Sequence, residues 1–144
     1  MQKKSLTALV GAVGAVCLVA AGQVVTSAQA EPLQVAQASA DPDFDTLYAE
    51  GEDLYNRNCA GCHAADGTGD ENGLPGPKLV GNNFLSSAGA IIGQIMVGNP
   101  NHGMPPFADR LSDREIAAIG TYVRNAWGNS YGIVPVRSVT IRRP

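Results

Sequence analysis

The chain has 144 residues, 44% of them hydrophobic and 16% charged, with a formal net charge of −3. That length holds one small domain with extensions and excludes a multidomain enzyme. The acidic balance leaves no basic patch to displace counterions from phosphates, which excludes nucleic-acid binding.

Residues 1–30 read as a secretory leader. Lys3 and Lys4 form a basic start, Leu6 to Val25 is a nearly uncharged run of small and apolar residues, and Ala28-Gln29-Ala30 offers a cleavage site. The competing reading is a retained membrane anchor, because the run approaches the ~20 residues of a spanning helix. The Ala-x-Ala site favours cleavage and export to the bacterial periplasm or an equivalent oxidising compartment. Cys17 follows Val16 rather than a small residue, so it reads as part of the apolar run and not as a lipid-attachment site. Cleavage removes Lys3 and Lys4, makes the mature chain more acidic, and leaves Cys59 and Cys62 as its cysteines.

Residues 31–42 are small and polar without periodicity, as in a flexible lead-in. The folded domain is expected over residues 43–129. From Asp43 to Asn58, the apolar or small residues Phe44, Leu47, Tyr48, Gly51, Leu54 and Tyr55 recur at three- and four-residue steps, predicting an amphipathic helix. Asp43 and Asp45 lie where its positive end favours carboxylates. Gly61 to Gly103 then holds ten glycines and three prolines in 43 residues. Within it only Ser87 to Val97 reads as a helix, with Ile91, Ile92, Ile95 and Met96 on one face. So much irregular chain in a compact domain calls for an organising element other than side chains.

A last helix is predicted over Leu111 to Trp127, opened by Ser112 and Glu115 as a capping box and closed by Gly128. Ile116, Ile119, Tyr122 and Val123 form its apolar stripe. Residues 130–144 alternate Val134, Val136, Val139 and Ile141 with polar neighbours, as in a short extended arm or a partly ordered tail. No series of strands is present, so the expected class is all-α.

The chemistry is concentrated in Cys59-Ala60-Gly61-Cys62-His63. Two thiols one helical turn apart can bond the two vinyl groups of a haem, and the adjacent imidazole then lies under the iron. Three rival readings of the cysteine pair are weaker. A zinc ribbon needs a second ligand pair, yet outside the leader there is no other cysteine and His102 is the one further histidine. A thioredoxin-like pair belongs with a βαβ pattern, which is missing. A disulfide suits an exported protein but leaves His63 unexplained.

With Gly76-Pro77-Lys78-Leu79-Val80-Gly81, Gly103-Met104-Pro105-Pro106-Phe107 and the two flanking helices, the haem motif makes the chain resemble the class I cytochromes c from about Asp45 to Asn129. The resemblance implies three to five helices wrapped around one covalently attached haem c, with the first and last helices crossing through Gly51, Tyr55, Ile119 and Tyr122. It also implies that Met104 is the second axial ligand, that the Pro77 carbonyl accepts a hydrogen bond from the ring of His63, and that Leu79 packs on the haem. A thioether in a proline-stiffened loop is a soft, neutral ligand suited to haem iron. Met96, on a helix face, and His102, two residues before Met104, are its competitors. Trp127 is expected near the end of the last helix without touching the haem.

Histidine–methionine ligation closes both axial sites and raises the potential. The implied function is a one-electron carrier rather than an enzyme. A cytochrome subunit of a periplasmic dehydrogenase is the alternative, with the arm of residues 131–144 on the catalytic subunit. A haem ligand sensor or peroxidase-like enzyme would require a labile Met104 bond. Partners are then redox proteins, with a dehydrogenase as donor and an oxidase or another cytochrome as acceptor. Membrane attachment follows only if the leader is retained, and the expected form is a monomer or a heteromer subunit. Outside the leader, one lysine, Lys78, and seven arginines face 13 acids. This composition argues against strong steering towards an acidic partner and for docking through apolar surface around the haem edge and the Met104 loop. Asp66, Asp70 and Glu71 form either an acidic patch or a solvated loop.

Overall fold

The computed structural model describes residues 42–144; the expected leader, and the lead-in up to residue 41, lie outside the described residues. Five α-helices are present: α1 (Phe44–Asn58), α2 (Ala60–His63), α3 (Ala88–Val97), α4 (Asp113–Asn125) and α5 (Val136–Thr140). Single 3₁₀ turns at Gly69–Asn72, Asn83–Ser86 and Pro100–His102 shape the connections. Among the described residues the β pairing is confined to one bridge between Asn99 and Met104, so the domain is all-α.

Both long helices begin where the sequence supplies caps. Asp43 accepts a hydrogen bond from the Thr46 amide at 2.8 Å, and these local donors hold its carboxyl below the ordinary value. At α4 the Ser112 hydroxyl accepts from the Glu115 amide, while the Glu115 carboxylate accepts from the Ser112 amide at 2.8 Å. The apolar faces then meet. Leu47, Gly51, Leu54 and Tyr55 of α1 are buried, as is every residue of α4 from Ile116 to Arg124.

The crossing of α1 and α4 depends on Gly51. A Cβ at that position would stand 2.1 Å from the Ala118 carbonyl oxygen and 2.8 Å from Tyr122 Cβ, so any side chain would force the helices apart. Beside this contact Tyr48, Tyr55, Tyr122 and Trp127 form a cluster with ring centroids 5.1 to 5.4 Å apart, in tilted and edge-on arrangements.

Two expectations change. The last helix stops at Asn125 instead of reaching Trp127, because Ala126 is extended and Trp127 takes a positive φ of 54°. This turn places the Trp127 ring against Gly67 and inside the aromatic cluster. It also carries Asn129 inward, where its amide donates to the carbonyls of Leu79 and Val123 and its oxygen accepts from the Gly81 amide. Tertiary burial thus overrides helix continuation.

The tail is not extended throughout. Pro135 starts the short helix α5, and Val134 and Val139 are fully buried, with Val134 lying on Gly120 of α4. Asp113 fastens its end, accepting from Thr140 Oγ1 and Arg143 Nε at 2.6 Å each. Those two hydrogen bonds lower the Asp113 pKa.

Candidate haem site

Cys59 continues α1, its amide donating to the Tyr55 carbonyl at 2.8 Å, and the next turn closes with the amides of Cys62 and His63 on the Cys59 carbonyl at 3.0 Å. One helical turn therefore presents Cys59, Cys62 and His63 together. The two thiols are free. Burial, with the nearby Cys62 adding, pushes the Cys59 thiol up to about 12, so it is protonated at neutral pH. A thiol of this kind is a poor redox nucleophile. Among the described residues no three His, Cys, Asp or Glu side chains cluster as a metal-binding set.

Directly after His63, Ala64 has a left-handed φ of 62°, uncommon for a non-glycine residue. The buried Tyr55 hydroxyl holds it by donating to the Ala64 carbonyl at 2.6 Å. Burial raises the Tyr55 pKa further, so this donor keeps its proton.

His63 Nδ1 lies 2.9 Å from the Pro77 carbonyl oxygen. A carbonyl only accepts, so Nδ1 carries the proton and Nε2 keeps its lone pair for a metal. The loop bearing Pro77 is held from both ends. The Gly76 amide donates to Cys62 O at 3.0 Å, and the amides of Leu79 and Val80 converge on Gly67 O. Asp66 accepts from Thr68, Asp70 accepts from the Lys78 amide, and Glu71 pairs with the Lys78 ammonium at 2.9 Å. The three acidic residues therefore build their own loop.

Met104 comes from the connection between α3 and α4. Its backbone pairs reciprocally with Asn99, at 2.9 and 3.1 Å, in a narrow hairpin. Gly98 makes the hairpin possible: it has a φ of 69°, and a Cβ there would stand 2.5 Å from the Pro105 carbonyl carbon. The Met104 sulfur accepts a hydrogen bond from Gln94 Nε2 of α3 at 3.2 Å. Of the competitors, Met96 is 3% exposed in the core, and His102 is exposed, with Nδ1 3.0 Å from Asn99 Oδ1.

Cys59, Cys62, His63, Pro77, Leu79 and Met104 all line one cavity of about 650 Å³, and His102 stands at it too. Leu85, Ile91, Ile95, Phe107, Ile119 and Val123 give it apolar walls. That volume falls within the ~300–1,000 Å³ of cofactor pockets. A paired thiol motif, a presented Nε2 lone pair and a large apolar cavity together fit a haem. Trp127 is not among the cavity residues.

Sequence reasoning missed Gln94, Arg124 and Asn129. Gln94 carried a weak signal as the one polar side chain in the sequence of α3. Arg124 falls on the buried register of α4, four residues beyond Gly120, which periodicity alone could have flagged. Nothing local distinguishes Asn129 from a surface turn residue.

Residues 46–123 match the family described as cytochrome C oxidase, cbb3-type, subunit III. The cytochrome c6 of Leptolyngbya boryana is 39% identical over 80 residues, covering 52% of this chain and 87% of that protein. The fructose dehydrogenase cytochrome subunit of Gluconobacter japonicus is 34% identical over 107 residues, covering 65% of this chain and 22% of the relative. The cytochrome c subunit of the quinone alcohol dehydrogenase of Gluconobacter oxydans (strain 621H) is 33% identical over 89 residues, covering 56% and 19%. The chain thus spans about a fifth of the length of these two dehydrogenase subunits. The fold, the cavity and these matches agree: the chain belongs to the class I c-type cytochromes, all-α domains that hold haem c covalently and carry electrons instead of transforming a substrate.

Proposed function

We propose that this protein is an exported one-electron carrier of the periplasm with a single haem, bonded through Cys59 and Cys62 and ligated by His63 and Met104. The observation that carries the reading is the convergence of His63, with Nε2 left free by its bond to Pro77, and the Met104 thioether on one apolar cavity. When bound, the haem supplies a reversible Fe(III)/Fe(II) couple. The protein's part is to fix both ligands before any electron moves, so that little reorganises on transfer. Pro77 sets the tautomer and orientation of His63, the Asn99 hairpin fixes Met104, and Leu79, Ile119 and Phe107 exclude water. Docking would use the exposed Phe84, Val97, Pro105 and Pro106 around the cavity and hairpin, in a weak, fast exchange with redox proteins.

Met104→Ala tests the ligand set. The ferric protein is expected to lose its methionine-to-iron charge-transfer band in the far red, and the midpoint to fall by roughly 0.1–0.3 V, inside the ~0.8 V range that axial ligands span. An unchanged low-spin spectrum and potential would remove Met104 from the iron and put His102 next in line. Gln94→Leu makes a smaller change. Without the amide N–H on the sulfur, the thioether donates more strongly and the oxidised state gains. Potentiometry should show a fall of roughly 40 mV, the one-electron equivalent of ~1 kcal/mol for a hydrogen bond.

The second reading is a dehydrogenase cytochrome subunit, favoured by the fructose and alcohol dehydrogenase relatives. Purification from the native source separates the two. Co-elution with one dehydrogenase at high salt supports the subunit, and elution as a lone monomer supports the carrier.

A further inference from the structure

Arg124, in the last turn of α4, is 5% exposed. Its guanidinium donates to four backbone carbonyls from two separate segments. Leu85 at 2.9 Å and Ser86 at 3.3 Å belong to the 3₁₀ turn, while Ile133 at 3.3 Å and Tyr131 belong to the tail. None of the four ion pairs among the described residues includes it. Carbonyls satisfy its hydrogens but bring no net charge. Burial lowers its pKa from the ordinary arginine value, yet arginine remains protonated in proteins. A full positive charge is therefore fixed inside the domain without a carboxylate partner.

Its position relates that charge to the cavity. Leu85, whose carbonyl it binds, is fully buried and forms part of the cavity wall, and so does Val123, its neighbour in α4. The guanidinium is bonded to the backbone of that wall at Leu85 and is itself buried, in a region that water and salt screen poorly. Reduction of a haem held in the cavity would add one electron there, and a fixed cation joined to the cavity wall favours the reduced state.

We propose that Arg124 is a positioning charge for the redox centre, holding its reduction potential up through the Leu85 wall while tying the tail to the domain. The proposal rests on the reading that the cavity holds the haem. It assigns the tail a second effect: the Tyr131 and Ile133 carbonyls keep the guanidinium buried, so docking of residues 130–144 reaches the potential through Arg124.

The test is potentiometry of the holoprotein for the wild type and for Arg124→Met, Arg124→Gln and Arg124→Lys, at low and high salt, with far-red spectra and denaturant unfolding alongside. Met and Gln remove the charge, and Gln keeps some donors. Lys keeps the charge and loses the fork. At a fixed electrode potential, the neutral variants should show a reduced-to-oxidised ratio about tenfold lower than wild type, a midpoint fall of ~59 mV for a one-electron couple. Their spectra should be unchanged, and the fall should be the same at both salt concentrations. Arg124→Lys should unfold more easily yet keep a midpoint near that of wild type.

An unchanged midpoint in the neutral variants, a fall in Arg124→Lys as large as theirs, or a difference that vanishes at high salt would each overturn the proposal. If Arg124→Met does not yield holoprotein, the Gln and Lys variants decide it by the same criteria. A wild-type protein without a covalent haem spectrum would overturn the haem reading itself. That failure is visible before any variant is made.

Discussion

Replacing Cys59 and Cys62 together by serine is expected to give a chain with no covalently held haem and no cooperative unfolding transition. The cavity of about 650 Å³ is bounded by residues of α1, α2, α3, α4 and the loops between them, so its filling joins most of the domain. Covering apolar wall surface contributes ~25 cal/mol per Å², so a haem spread over these walls would supply several kcal/mol. A small domain has only ~5–15 kcal/mol in total. The measurement is a pyridine haemochrome assay of denatured protein with calorimetry of the purified chain. A double variant that unfolds cooperatively near the wild-type temperature without haem would show that side chains alone suffice for the core.

Gly51→Val should be the most damaging substitution remote from the haem ligands. The side chain would begin 2.1 Å from a backbone oxygen of α4, which cannot rotate away, so α1 and α4 must separate along their whole contact. A loss of ~3 kcal/mol or more is expected from overpacking of this kind, read as the denaturant midpoint of the holoprotein. Gly93→Ala is the internal comparison. Gly93 lies within α3 with no atom within 4 Å of its would-be Cβ, so alanine should be neutral or stabilising by ~0.5–1 kcal/mol. Equal effects at the two positions would contradict the crossing as described.

Much of this was legible in the sequence because the relevant physics is local. The Ser112–Glu115 capping box marked the start of α4, and periodicity separated the buried Met96 from the loop-borne Met104. Cys59, Cys62 and His63 needed no tertiary information to be grouped, since one turn of helix brings them together. The end of α4 was illegible for the opposite reason. Trp127 leaves the helix to meet Tyr55 and Gly67, residues distant in the chain, and no pattern around Trp127 encodes that contact. The tail misled similarly. Val134 and Val139 read as alternation, yet both are fully buried, Val134 against Gly120 of α4. Gln94 and Arg124 stayed hidden because their roles depend on acceptors brought close only by folding, the sulfur of Met104 and the carbonyls of Leu85 and Tyr131.

In the proposed carrier, His63 and Met104 close both axial faces of the haem. Absorption spectra of the untagged holoprotein, oxidised and then reduced under carbon monoxide, test this directly. The predicted result is a far-red methionine–iron band in the ferric protein and no change in the ferrous spectrum when carbon monoxide is added. Absence of that band with prompt carbon monoxide binding would contradict this ligation and point to an open iron site.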